Sequence, residues 1–254
     1  MPLYSADALI LRTYKLGEAD RIVVFLTRDR GKKRGVAKGA RRPRSKFVGG
    51  LEPLTQVRVA YFEKERRELV SVNYSEPNCS PLAAVDPEAL GYTQYFAELL
   101  DEWAQEADPD ERLYRLGAAV VEALAAGVPA EPLARYFEYW LLRLQGVYPP
   151  HLVCQLCGKT LGGTGNDAAI LISGGRELTC VQCSPRGGGL RLSGDALAFV
   201  SGARNVNPLR VGELRVTPAV MREIESVHRA LIATHLEKEL KSIRVLKDMR
   251  RRIS

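Results

Sequence analysis

Val57, Val59 and Tyr61 alternate with Arg58, Ala60 and Phe62; a polar turn follows at 63–66, and then Val70, Val72 and Tyr74 alternate with Ser71 and Asn73. A period of two on both sides of a turn predicts a β-hairpin. Residues 8–14 and 21–27 are apolar and β-branched, and a turn containing Gly17 joins them. A third strand is expected over 33–40, where Gly31, Gly35 and Gly39 argue against a helix. Five short strands in about 75 residues suit a small closed barrel of the five-stranded Greek-key (OB) type, with a sandwich as the alternative.

Beyond the Pro77–Pro81 stretch the period changes. Tyr92, Tyr95, Phe96, Leu99, Leu100 and Trp103 form one stripe of an amphipathic helix. Leu113, Leu116, Val120 and Leu124 repeat it, with Asp108 or Asp110 as N-cap. Leu133, Tyr136, Phe137, Trp140, Leu141 and Leu144 make a third helix, ended by Gly146 and Pro149-Pro150. Three helices with short connections predict a bundle, with the aromatic stripes as its core rather than a groove lining. A Gly- and Cys-rich segment interrupts the helices at 151–189. Helical pattern resumes at 196–203 and from Pro218 to about Arg250, carried by Val220, Ile224, Val227, Leu231, Leu240, Ile243 and Leu246. The organisation expected is a barrel at 1–78, helices at 79–150, a cysteine module at 151–189 and further helices at 190–254. The fold class is α+β.

Charge sharpens this picture. The chain of 254 residues carries a formal +7. Residues 28–46 hold ten Lys/Arg against one Asp, and residues 238–252 hold seven against two acids, so the remainder is acidic overall. Two concentrated cationic runs on an acidic body point to a polyanion surface. No apolar stretch approaches the ~20 residues of a membrane span. The short run Leu9-Ile10-Leu11 ends at Arg12, too soon for a signal peptide. A cytoplasmic protein is expected, and its cysteines then favour metal or free thiols over disulfides.

Cys154-x-x-Cys157 and Cys180-x-x-Cys183 form the sharpest motif. Two such pairs present four thiolates to one tetrahedral ion, and four cysteines leave no open coordination position. One structural Zn²⁺ is expected. His151 is an unneeded alternative ligand, and Cys79 reads as a small hydrophobe.

Lys32, Lys33, Arg34, Lys38, Arg41, Arg42, Arg44 and Lys46 lie on or beside the third strand and its following loop. Such cations neutralise phosphates and release counterions, while Phe47, Tyr14 or Tyr61 are candidates to stack bases. Enzymatic motifs are missing. Gly158-Lys159-Thr160 lacks the first glycine of a phosphate loop, and His235 does not open an H-E-x-x-H. His228 and His235 read as ordinary helix-face residues, and Asp101/Glu102 as exposed.

Leu11-Arg12-Thr13-Tyr14, Gly17-Glu18-Ala19-Asp20-Arg21, the stretch GVAKGARRPRSKF at 35–47, and Leu51-Glu52-Pro53 closely resemble the N-terminal domain of the bacterial recombination mediator RecO family. The resemblance implies a protein without enzymatic activity that binds single- and double-stranded DNA and anneals complementary strands. It also implies contact with the tail of single-strand-binding protein and, with RecR, loading of RecA in DNA repair. The eight basic residues above become the DNA-contact candidates. Rival readings are a zinc-containing RNA-binding or ribosome-associated protein, a metal-dependent nuclease, and a scaffold for acidic proteins.

Overall fold

The computed structural model describes residues 2–64, 67–83, 87–162, 167–184 and 188–253. Its strands are β1 (Leu3–Leu16), β2 (Asp20–Thr27), β3 (Gly31–Ala37), β4 (Gln56–Phe62), β5 (Val70–Cys79), β6 (Ala169–Ile172), β7 (Glu177–Cys180) and β8 (Leu190–Leu192). Its helices are α1 (Pro87–Trp103), α2 (Glu111–Ala125), α3 (Ala130–Leu144), α4 (Gly194–Ala203), α5 (Pro218–Leu236) and α6 (Lys241–Ile253). The chain divides into two compact units, residues 1–127 with 240–254, and residues 128–239.

In the first unit, β1 to β5 close a barrel in the order β1-β2-β3-β5-β4. All neighbours are antiparallel except β3 and β5, which run parallel over Gly35–Ala37 and Val70–Val72. This is the five-stranded OB topology. Inward positions such as Ile10, Val23, Phe25, Val59, Tyr61 and Val72 fill it.

Strand β1 begins earlier than the apolar run suggested. Its first half pairs with β4 and its second half with β2, with a register shift between Ile10 and Arg12. One strand can close a barrel this way only if it is long enough to serve two neighbours, so the polar Ser5 and Asp7 are recruited. Strand β3 is earlier too, at 31–37 rather than 33–40. It stops because the Asp20 carboxylate accepts the Gly39 N–H at 2.7 Å, which turns the chain out of the sheet.

The free half of β3 is covered. Lys32 N–H donates to Gln105 O, and Ala107 N–H donates to Lys32 O, so residues 105–107 act as a stub strand. A side chain at Gly31 would run into the Asp108 backbone. Covering an edge this way blocks pairing with other chains. Asp110 then caps α2 through the Leu113 N–H at 3.0 Å.

The expected three-helix bundle is replaced by a split arrangement. Helices α1 and α2 belong with the barrel, and α3 belongs to the second unit, where it packs with α5. The apolar stripes are buried as expected, with Tyr95, Phe96, Trp103, Tyr136 and Phe137 all in the core. A stripe requires burial but does not say against what. The helical pattern expected from Pro218 to about Arg250 forms two helices, broken at Glu237 with φ +53°. From Leu231 to Leu240 is nine residues, two and a half turns, so the apolar face slips by half a turn there. Helix α6 consequently returns to the first unit and packs on α1.

The second unit holds a polar cluster in its core. Arg135 bonds Glu138 at 2.8 Å, and the other Glu138 oxygen meets His228 Nδ1 at 3.1 Å; all three residues are buried. His228 is therefore an interior hydrogen-bonding residue rather than the ordinary face residue its spacing suggested. Desolvation pushes its pKa down, although Glu138 opposes the shift. The unfolded chain then binds a proton that the folded one does not, so stability falls as pH drops below about 6.5. Thermal melts between pH 8 and pH 5 check this: the wild type should lose up to about 1.4 kcal/mol per pH unit below that point, and His228→Gln should flatten the dependence.

Candidate nucleic-acid interface and metal centre

The loop from Lys38 to Thr55 carries most of the basic run. It is tied down at both ends. Arg41 N–H donates to Ala19 O at 2.9 Å, the Arg41 guanidinium donates to Gly17 O at 2.9 Å, and Arg21 pairs with Glu52 at 3.5 Å. Further along, Leu54 N–H donates to Ile10 O, Ile10 N–H donates to Thr55 O, and Ser75 Oγ donates to Gly50 O. Phe47 and Leu51 enter the barrel core. The loop is thus an ordered platform whose Phe47, Leu51 and Leu54 face in, while Val48 and the cations face out.

The eight basic candidates fall into two groups. Lys32 donates to Asp101 O at 2.7 Å and pairs with the Asp101 carboxylate at 3.3 Å. Lys33 pairs with Glu63 at 2.9 Å, and Arg34 with Glu106 at 3.7 Å. The Lys32 and Lys33 side chains are only 16% and 13% exposed. Lys38, Arg41, Arg42, Arg44 and Lys46 are exposed, and among the described residues none has a carboxylate within salt-bridge distance. Lys46 instead reaches Asn73 at 3.3 Å and lies over the Phe47 ring. Five unneutralised cations within nine residues make a strong local positive field.

The aromatic candidates need correction. Phe47 and Tyr61 are 4% and 0% exposed, in the barrel core, so neither is available to a base; Tyr14, at 45%, is. Alternation along β4 pointed Tyr61 inward with Val57 and Val59, and that signal was present in the sequence. The pair Asp101/Glu102 is not simply exposed either. Arg12 Nε meets Asp101 at 2.6 Å, and its Nη2 meets Glu102 at 3.1 Å. Glu98 on the same edge of α1 lies 3.9 Å from Arg12 and accepts the N–H groups of Lys241 and Ser242, the first two residues of α6. A carboxylate there is favoured by the helix dipole. No sequence signal marks this edge, because its partners lie 69 to 144 residues away.

In α6, Lys241, Arg244 and Lys247 are exposed. The side chains of Arg250, Arg251 and Arg252 lie outside the described residues.

The four predicted cysteines come together in the second unit. All four Sγ atoms lie within 4.8 Å of one another. Each pair sits on its own turn. The first turn is closed by Cys154 N–H to Lys159 O and Gly158 N–H to Cys154 O, with Gly158 at φ +73°. The second, at the end of β7, is closed by Cys183 N–H to Cys180 O at 3.1 Å. In a tetrahedral site with metal–sulfur bonds of ~2.3 Å the edges are about 3.8 Å. Cys157 and Cys180, 3.9 Å apart, already stand at that spacing. His151 lies outside the cluster.

Burial opposes ionisation of Cys154, but the N–H groups of Cys180, Cys157 and Leu156 more than offset it and pull its pKa down to about 6. Cys183, sharing hydrogen bonds with Cys180 and Cys157, is pushed up to about 12. Four thiols this close cannot all ionise without a cation among them. The donor set and its spacing therefore fit a metal ion.

An N-terminal OB barrel with a cationic loop, followed by helices and a tetracysteine cluster, defines a class of α+β protein. Residues 1–79 match the family model for the recombination protein O N terminal, and residues 84–244 match that for its C terminal. The chain is 33% identical to the DNA repair protein RecO of Desulforudis audaxviator over 98% of both chains. It is 34% identical to the DNA repair protein RecO of Bifidobacterium adolescentis over 97% of this chain and all of that one. It is 41% identical to the DNA repair protein RecO of Koribacter versatilis over 161 residues, covering 63% of this chain and 65% of that relative. The chain belongs to the RecO family.

Metal analysis of the purified protein should find one zinc per chain, and Cys154→Ser should abolish it. Chelation should lower the melting temperature and expose four more thiols to a thiol reagent. A metal-free protein whose thiols were equally protected would contradict the site.

Proposed function

We propose that the protein is a non-enzymatic DNA-binding mediator of DNA repair. It binds single- and double-stranded DNA, promotes annealing and, with RecR, assists RecA loading on strands coated by single-strand-binding protein. The observation that carries this reading is the cationic loop, exposed and held rigid against the β1–β2 turn. Lys38, Arg41, Arg42, Arg44 and Lys46 contact phosphates directly. Lys32, Lys33 and Arg34, paired with acids, chiefly hold β3 in place.

Annealing brings two polyanions together, so a protein that screens both lowers the encounter barrier without chemistry. The loop holds one strand. The exposed cations of α6, which belongs to the same unit as the barrel, hold the other. One structural Zn²⁺ on Cys154, Cys157, Cys180 and Cys183 braces the second unit. Its relatives are DNA repair proteins by name, which supports action on DNA, and no described helix is long and apolar enough to cross a membrane. The protein works in the cytoplasm at the nucleoid, against the tail of single-strand-binding protein.

Annealing of labelled complementary strands tests the two-patch arrangement. The combined Lys241→Glu and Lys247→Glu variant should anneal at least fivefold more slowly while keeping its affinity for one strand. Unchanged annealing would refute the second patch. Cleavage of DNA with Mg²⁺ or Mn²⁺ would refute the non-enzymatic reading.

A further inference from the structure

Among the described residues, the large apolar side chain most open to solvent is Val48, 76% exposed. It occupies the second position of a β-turn that Gly50 N–H closes by donating to Phe47 O at 3.2 Å. Gly49, at φ +72°, takes the third position, where a turn of this kind needs a glycine. Both shoulders of the turn are fixed. Phe47 is set into the barrel core, and Gly50 O accepts Ser75 Oγ. A side chain at Gly50 would run into the Ser75 carbonyl. Below the turn, buried Leu54 is held at φ +59°.

A lone apolar residue on a surface is ordinary. Val48 is set apart by what surrounds it. No acid occurs between Lys38 and Leu51. Arg42 and Arg44 lie on two preceding tight turns, closed by Arg42 N–H to Gly39 O at 3.1 Å and Ser45 N–H to Arg42 O at 3.0 Å. Lys46, at the near shoulder, reaches Asn73 Oδ1 at 3.3 Å and lies over the Phe47 ring. A β-branched side chain is stiff at χ1. On an anchored turn it forms a short, rigid, apolar tip beside a row of cations.

We infer that Val48 is a wedge that enters one base step of duplex DNA while the loop cations hold the phosphates on either side. The inference rests on the DNA-binding reading and adds to it an action on the duplex. Cations that draw a duplex onto the loop press its base pairs toward the tip. An apolar tip gains by leaving water for the space between two bases, and it parts and kinks the step it enters. The cost is the lost stacking, so the wedge favours steps already loose: pyrimidine–purine steps and mismatches. A single strand bends freely and has no paired step to part, so it gains nothing from the tip. The cations thus set salt sensitivity, and Val48 sets the shape and the preferred sites of the bound duplex.

The test compares Val48→Ser, Val48→Leu and the wild type on a short perfect duplex, the same duplex with one central mismatch, and a dT oligomer. The duplexes carry donor and acceptor dyes at their two ends, so a kink raises energy transfer. Val48 is exposed, and circular dichroism and melting confirm the fold of each variant. The wild type should bind the mismatched duplex roughly tenfold more tightly than the perfect one, and should bend both. Val48→Ser should lose the preference and the bend, whereas Val48→Leu should keep both. Affinity for the dT oligomer and its salt slope should change less than twofold in either variant. A wild type that neither bends the duplex nor prefers the mismatch overturns the inference. So does a Val48→Ser variant that keeps both properties, the result expected if Val48 instead meets a protein, or one that weakens all three ligands equally. If the wild type binds no DNA at low salt, the DNA-binding reading itself fails, an outcome distinct from the others.

Discussion

The edge of α1 that carries Glu98, Asp101 and Glu102 is the interaction on which the first unit depends. Three carboxylates on adjacent turns accept Arg12 from β1, Lys32 from β3 and the first N–H groups of α6. The Asp101 and Glu98 side chains are 13% and 11% exposed, so their charges are partly desolvated and their partners are hard to replace. Removing one member of such a cluster leaves an uncompensated charge, which costs more than the pair contributes. One acidic edge therefore fixes how the barrel, α1 and α6 sit within their unit.

The same edge, with Glu63 and Glu106, decides which cations of the basic run are paired. The basic run is continuous in sequence and divided in space. Its first part lies on β3, within reach of α1, the following segment and Glu63, and is neutralised there. Its second part leaves the sheet after Ala37, and among the described residues none of its cationic side chains pairs with a carboxylate. The turn Gly17–Asp20 then anchors that second part through the Asp20 carboxylate and the carbonyls of Gly17 and Ala19. Of the four segments that carry the family resemblance, those at 17–21, 35–47 and 51–53 thus meet in one place. A platform with its backbone already fixed loses little entropy when a strand docks.

Much of this was legible along the chain. Period-two patterning found the barrel strands because each buries one face, and the two C-x-x-C pairs found the cysteine cluster because both thiols of a turn converge locally. The rest depends on distant partners. Nothing near Lys32 or Lys33 in sequence shows that Asp101 and Glu63 neutralise them. His228 looked like a face residue because Glu138, ninety positions away, supplies its hydrogen bond. The break at Glu237 left a trace, the half-turn slip between Leu231 and Leu240. The inward aim of Tyr61 left one too, its alternation with Val57 and Val59. Phe47 left none, since a loop residue has no period.

The central claim is that the unpaired loop cations, and not the paired strand cations, meet the phosphates. The salt dependence of single-strand affinity measures this directly, because the log–log slope is about −0.7 per phosphate neutralised. Replacing Arg41, Arg42 and Arg44 by alanine should flatten the slope by about 2, the loss of three contacts. Lys33→Ala should leave the slope within about 0.7 of the wild type. Equal slopes in the loop variant and the wild type, or a loss in Lys33→Ala as large as in the loop variant, would contradict the account.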